Sequence, residues 1–283
     1  MRYLATLIWI IALGCACRDH PSLLNERVEP RWFSAKTVPA RGVFVVVHGL
    51  NQRPSTMDPL SDYLTSLGFH AYRVSLEGHD QNGDIVFPAD VWTKDVIRSV
   101  HEATERHPSL PLYMLGYSMG GLLTVQAIES SPAVSPKKVI LVAPALSLRT
   151  LLLSARLLTL FPPLSLRTPN LAPSKYRRSA ATPLFWYSNI AELYDAAQDP
   201  PAPERLRAVE ALVLLNPEDE LISESGTEEW VAEHGLSRSW RIELLKPQPS
   251  EPDMREHIMI DQPSLGDGEW LRMQQIVRAF LAQ

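Results

Sequence analysis

The sequence predicts an α/β fold, a mostly parallel sheet flanked by helices. Three observations carry this reading: short apolar, β-branched runs recur along the chain, helical patterns separate them, and turn residues mark the joins. Val43 to Val47 lies between Gly42 and Gly49 without any polar alternation, the pattern of a strand covered on both faces. Leu60, Tyr63, Leu64 and Leu67 then follow at helical spacing within residues 56–67, and 71–75 reads as a second strand. Asp90 stands where it can cap a helix whose apolar face is Val91, Val96, Ile97 and Val100, ending near His107. Residues 112–115, 138–142, 211–215 and 240–245 read as strands three to six, with a helix after Ser118. A last amphipathic helix carries Trp270, Leu271, Val277, Phe280 and Leu281. The exception is the stretch from 146 to about 208, helical or irregular and rich in Pro and Leu, which interrupts the alternation as a cap or lid insertion would.

Composition narrows the function classes. The chain has 283 residues, is 45% hydrophobic and 21% charged, and so can bury a large core in a single domain. A net charge of −5 argues against a nucleic-acid binder, which needs a basic surface. Both cysteines, Cys15 and Cys17, precede residue 18, so the body holds no disulfide framework, cysteine zinc site or catalytic thiol. Residues 1–17 begin with a single arginine, run through about ten apolar residues and end in small ones, the pattern of an export signal too short to span a bilayer. Within it, ALGC resembles a bacterial lipoprotein signal ending at Cys15, with Cys17 as the second choice. Acylation there anchors the protein to a membrane face outside the cytoplasm, periplasmic or cell-surface, with residues 18–30 as a tether and 31–283 as the folded domain.

The chemistry concentrates at GYSMGG, residues 116–121, between a predicted strand and an apolar helix. A G-x-S-x-G sequence in that setting turns the chain so sharply that the serine projects its hydroxyl, and the glycines admit neighbouring backbone. Ser118 is therefore the candidate nucleophile.

With VVVHGL at 45–50, EGHD at 77–80 and HPSLPLYMLGYSMGG at 107–121, the chain resembles the α/β-hydrolase family, and within it the monoacylglycerol lipase and lysophospholipase group. It departs from that pattern at Ser75, where the group carries an acidic residue, and at Asp80, where it carries a second glycine. The resemblance implies an α/β-hydrolase fold with a cap and the chain order serine, acid, histidine.

A serine hydroxyl needs a base, and the base needs an orienting acid. Only His234 and His257 follow Ser118. His234 falls in a helical pattern and reads as a surface residue, whereas His257 lies in a Pro-rich loop after the sixth strand, where the family places its base. Glu218, Asp219 and Glu220 all follow the fifth strand, and the family pattern falls on Asp219. The oxyanion of acyl transfer needs two backbone donors. The N–H of Met119 is one, and the resemblance assigns the other to Leu50. The resemblance implies that His48 and His79 brace loops, and neither follows the acid in the chain.

The expected activity is hydrolysis of a lipid ester, such as a monoacylglycerol or lysophospholipid, without metal or organic cofactor. A peptidase, thioesterase, acyltransferase or non-catalytic binder can be built on the same scaffold. Residues 148–161 are apolar nearly all round, and eight basic residues with no acidic one lie between 130 and 191: Lys137, Lys138, Arg149, Arg156, Arg167, Lys175, Arg177 and Arg178. A cationic, apolar lid is thus expected to contact lipid, with Phe161, Leu164, Leu171, Leu184, Phe185 and Trp186 contributing.

Overall fold

A computed structural model describes residues 29–79, 87–149, 167–250 and 253–283. The export signal with Cys15 and Cys17, most of the tether, Asp80 and the apolar run from 150 to 166 lie outside these residues. Among the described residues no helix is long and apolar enough to cross a membrane.

Seven strands form one sheet: β1 (Arg31–Phe33), β2 (Gly42–Val47), β3 (Phe69–Arg73), β4 (Leu112–Tyr117), β5 (Lys138–Val142), β8 (Glu210–Leu215) and β9 (Trp240–Leu244). Their spatial order is β1-β3-β2-β4-β5-β8-β9. Every pairing is parallel except β1 with β3, which is antiparallel. All six residues of β2 are buried, as a strand covered on both faces requires. A 3₁₀ turn (Pro54–Met57) leads into α1 (Asp58–Ser66), and α2 (Asp90–Arg106), α3 (Met119–Ser130), α6 (Glu224–Glu233) and α8 (Asp267–Ala282) are the main helices between and after the strands. Asp90 is the first residue of α2 and does not cap it: Ala89 holds the cap position, and no side chain bonds there. The second strand starts at Phe69, two residues earlier than its apolar run suggests, because Gly68 at φ +90° ends the preceding turn.

The cap segment contributes the two-stranded ribbon β6 (Arg167–Pro169) and β7 (Ala181–Pro183), helix α4 (Leu184–Gln198) and the short α5 (Pro203–Arg207). Leu184, Phe185 and Trp186 at the start of α4 are buried. Trp186 stacks on His79 at 4.5 Å and meets Trp92 edge to face at 5.7 Å. These aromatics therefore belong to the core and do not face lipid, whereas Leu171 is 68% exposed.

The basic set also divides. Lys137 and Lys138 sit at the amino end of β5, away from the strand ends that carry the cap, and Lys138 is buried against Glu210 and the Phe280 carbonyl, each at 2.9 Å.

After β2 the chain steps outward to β3, and after β4 it steps the other way to β5. The connections leaving the carboxyl ends of β2 and β4 consequently run in opposite directions and leave a crevice at the switch point of the sheet, where open α/β sheets bind ligands. The loop after β2 begins at His48 and the turn after β4 at Ser118, so the topology places the two signature motifs side by side.

Candidate active site

The turn at Ser118 is strained as its sequence demands. Ser118 has φ 53° and ψ −119°, a region that L-residues seldom occupy, and the surrounding backbone pays for it. Its N–H donates to the Val142 carbonyl at 2.9 Å, and its own carbonyl accepts from Gly121 and Ala145 at 2.9 and 3.0 Å. A Cβ on Gly116 would lie 2.4 Å from the Gly120 carbonyl oxygen, and one on Gly120 would lie 2.4 Å from that of Val47. Helix α3 can approach β4 and β2 this closely only because Gly116 and Gly120 lack side chains.

Three predicted side chains meet in series. His257 Nε2 lies 2.8 Å from Ser118 Oγ, and His257 Nδ1 lies 2.7 Å from Asp219 Oδ2. The other carboxylate oxygen, Asp219 Oδ1, accepts the backbone N–H groups of Leu221 at 2.7 Å and Ile222 at 2.9 Å. Burial works to raise the Asp219 carboxyl, but the His257 imidazole and these hydrogen bonds outweigh it and hold the group below the ordinary aspartate range. A carboxylate kept ionised beside Nδ1 selects the tautomer with hydrogen on Nδ1, which leaves Nε2 free to accept the serine proton.

The neighbouring carboxylates have other tasks. Glu220 Oε2 accepts the backbone N–H of His257 at 2.9 Å, so it fixes the main chain of the histidine and not its ring. Glu218 is exposed, with its N–H bound to Asn216 Oδ1 at 3.0 Å. The side chain of Asn216 also donates to the Glu256 carbonyl at 2.9 Å, and the Tyr117 hydroxyl donates to the His257 carbonyl at 3.1 Å. His234 caps α6, packs against Trp230 with the rings tilted and their centroids 4.3 Å apart, and takes no part in the site.

The loop after β2 is held residue by residue. Gly49 N–H donates to Gln52 Oε1 at 2.6 Å, and Asn51 N–H donates to His79 Nε2 at 2.9 Å. Leu50 stands between them and borders the cleft together with Met119 and Ser118. A Cβ on Gly49 would come 3.2 Å from Ser118 Cβ, so this loop packs directly on the serine. His48 donates from Nδ1 to the Gly49 carbonyl at 2.9 Å, while its Nε2 accepts the Leu76 N–H at 3.3 Å. Burial lowers the His48 pKa from 6.5 to about 4 and drives that of His79 well below its ordinary value. Both rings act as neutral braces.

These neutral histidines make stability depend on pH. Their folded pKa values lie below the unfolded one, so the stability they contribute is complete above pH 6.5 and is lost as pH falls below it, toward 4 in the case of His48. For His48 the loss reaches roughly 2 kcal/mol at pH 5. Glu129, raised to about 7 by burial and by Glu204, acts in the opposite sense, adding stability as pH falls from 7 toward 4.5. Glu129→Gln removes that compensation, and its urea midpoint is expected to be lower at pH 5 than at pH 7. Equal midpoints would contradict the neutral-brace assignment.

The cap is tied to this site at points the sequence did not reveal. Asn51, at φ 47°, donates from Nδ2 to the Thr182 hydroxyl at 2.7 Å and to the Ser179 carbonyl at 3.1 Å, and accepts the Ser179 N–H at 3.1 Å. Arg178 N–H donates to the Asn51 carbonyl at 2.8 Å, and Arg53 N–H to that of Tyr176 at 2.9 Å. The Tyr176 hydroxyl bonds both carboxylate oxygens of Asp261, at 2.9 and 3.0 Å, and Asp261 caps the short helix α7 (Gln262–Leu265) just after the histidine loop. Arg149, read from sequence as part of a cationic lid surface, is spent on the acid loop: its guanidinium donates to the carbonyls of Asp219 at 2.6 Å and Pro217 at 3.1 Å. Nothing in periodicity or motif marks these contacts, because they join segments more than 60 residues apart.

The cleft that opens over Ser118 has a volume of about 340 Å³. One face of α4 lines it with Tyr187, Ile190, Ala191 and Tyr194, at the spacing of a single helical stripe.

The chain resembles known proteins in the same way. A family model described as serine aminopeptidase, S33, matches residues 38–238. Monoglyceride lipases of Rattus norvegicus and Homo sapiens are each 27% identical over 121 residues, which are 41% of this chain and 40% of each relative. A monoglyceride lipase homolog of Monkeypox virus is 26% identical over 114 residues, 39% of this chain and 41% of that one. The chain thus spans about two fifths of the length of the curated relatives it matches. Among solved structures, a soluble variant of the Saccharomyces cerevisiae monoglyceride lipase in complex with a substrate analog superposes with a TM-score of 0.70 at 15% identity, covering 89% of this chain and 90% of that one. A structure reported for the metagenome-derived lipolytic enzymes LipS and LipT gives 0.67 at 20% identity, covering 92% and 100%. The family match extends over most of the chain, including the nucleophile turn and the acid loop, and the chain belongs to the serine aminopeptidase S33 family of α/β hydrolases.

Proposed function

We propose that this protein is a serine hydrolase of carboxylic esters, acting on single-chain lipid esters of the monoacylglycerol or lysophospholipid kind. The observation that carries the reading is the hydrogen-bonded series from Asp219 through His257 to Ser118, at 2.7 and 2.8 Å, opening into a largely apolar cleft. Ser118 Oγ attacks the ester carbonyl carbon while His257 Nε2 takes its proton. The N–H groups of Leu50 and Met119 hold the oxyanion. Collapse breaks the ester C–O bond, the alcohol leaves with the proton from His257, and acyl-Ser118 remains. Water then attacks the acyl carbon, giving its proton to His257, and the acid leaves as the proton returns to Ser118. Asp219 orients the ring throughout and stays ionised. The lipase names among the relatives and the aromatic and aliphatic stripe of α4 support an acyl chain as the group bound beside Ser118.

The experiment is hydrolysis of p-nitrophenyl esters and monoacylglycerols of increasing chain length. A rise in kcat/KM with acyl length is expected, and cleavage of aminoacyl amides with no cleavage of any ester would overturn the reading. We also infer that the chain is exported and held on a bacterial membrane by acylation at Cys15, on the lipoprotein-like ALGC pattern. Cys15→Ser should then move the protein from the membrane to the soluble fraction, and an unchanged distribution would remove the inference.

A further inference from the structure

The cleft wall combines two unlike sets of residues. Leu148 pairs with Ile222 in an isolated bridge, and both border the cleft along with Ala145, Leu221 and the α4 stripe. This set is aliphatic and aromatic. Gln52 forms a second bridge with Arg177, and both border the cleft with Asn170 and Arg255. Arg177 Nη1 donates to the Asn170 carbonyl at 2.6 Å, and Arg255 Nε reaches toward the Leu171 carbonyl at 3.5 Å. Two guanidinium groups thus flank one turn of the cap, each half-buried and each oriented by a neutral carbonyl. Among the described residues neither is ion-paired. Among the described residues, the only carboxylate on the cleft wall is that of Glu220, whose Oε2 accepts the His257 N–H.

Two half-buried cations that no described carboxylate pairs with favour an anion, and planar guanidinium groups match phosphate oxygens in pairs. Taking the proposed ester hydrolysis as given, we propose that Arg177 and Arg255 form a subsite for a phosphate on the alcohol part of the substrate, while the apolar residues of α4 and the acid loop take the acyl chain. The preferred substrate is then a single-chain ester of a glycerol phosphate, an anionic lysophospholipid, in preference to a neutral monoacylglycerol.

The test compares kcat/KM of the full chain on lysophosphatidylglycerol and on the monoacylglycerol with the same acyl chain, together with Arg177→Gln, Arg255→Gln and the double variant. Wild type is expected to prefer the anionic ester by about tenfold or more, and the double variant to lose that preference. Arg255→Lys, which keeps the charge but not the fork, should restore part of it. Raising the ionic strength should erode the preference in wild type. A mere structural role would lower both rates together and leave their ratio intact, and that result overturns the proposal, as does equal use of the two esters by wild type. A lysophosphatidylcholine arm separates recognition of the phosphate from recognition of net charge: rates near those of the anionic ester assign the phosphate, and rates near those of the neutral one assign net charge and overturn the phosphate subsite. If no ester is cleaved, the hydrolytic reading fails by itself. The subsite is still tested by binding of dodecyl phosphate against dodecanol to Ser118→Ala, where equal affinities overturn it.

Discussion

Replacement of His257 by alanine is expected to lower kcat on a p-nitrophenyl ester by about 10⁵ to 10⁶-fold. Without the imidazole, Ser118 Oγ loses the acceptor now 2.8 Å away, and among the described residues no other histidine borders the cleft. His48 and His79 are buried as neutral braces of the neighbouring loop, each with a ring nitrogen already accepting a backbone N–H. Because Ser118 and His257 act as one unit, the Ser118→Ala/His257→Ala double variant should be no slower than either single variant. Additive losses would mean that the two side chains serve separate steps. Rates are read beside urea midpoints, since His257 is buried and its removal also opens a small void.

Asp219→Asn is expected to cost about 10⁴-fold in kcat, through the tautomer rather than through charge alone. Asp219 Oδ1 accepts two backbone N–H groups, from Leu221 and Ile222, so an asparagine must place its oxygen there and turn its NH₂ toward His257. The ring then accepts at Nδ1 and carries its hydrogen on Nε2, where it cannot take the serine proton. Glu218→Gln, at an exposed side chain, should stay within about twofold of wild type, as surface changes do. Glu220→Gln removes a carboxylate that binds only the His257 main chain, and its loss should be far smaller than that of Asp219→Asn. If Glu220→Gln proved the more damaging change, the acid would have been placed one residue early.

The sheet was legible because its strands are continuous apolar runs. Lys138–Val142 has the bounds the pattern suggests, and β8 and β9 differ from theirs by a single residue. β1 was missed because three residues, RWF, carry no period, and the strand exists only through its antiparallel pairing with β3. The nucleophile was legible for a different reason: a backbone at φ 53° between close-packed strand and helix needs glycines at fixed offsets, and that need is written locally in GYSMGG. The acid could be narrowed only to three neighbours by residue type. What distinguishes Asp219 is the direction of its side chain, which the amides of Leu221 and Ile222 set. The cap was the least legible part. Its composition suggested lipid-facing aromatics and a cationic surface, but Trp186 packs on His79, and Arg149 holds the carbonyls of Asp219 and Pro217. Hydrophobicity and charge report what a side chain prefers, and long-range packing decides which partner satisfies the preference.

The central claim, that Ser118 is the nucleophile of this fold, is tested most directly by reacting the folded full chain with a long-chain fluorophosphonate and locating the adduct by mass spectrometry. The account predicts a single phosphonyl group on Ser118, absent from Ser118→Ala and strongly slowed in His257→Ala. Failure of the folded wild type to react, or an adduct that persists in Ser118→Ala, would contradict it.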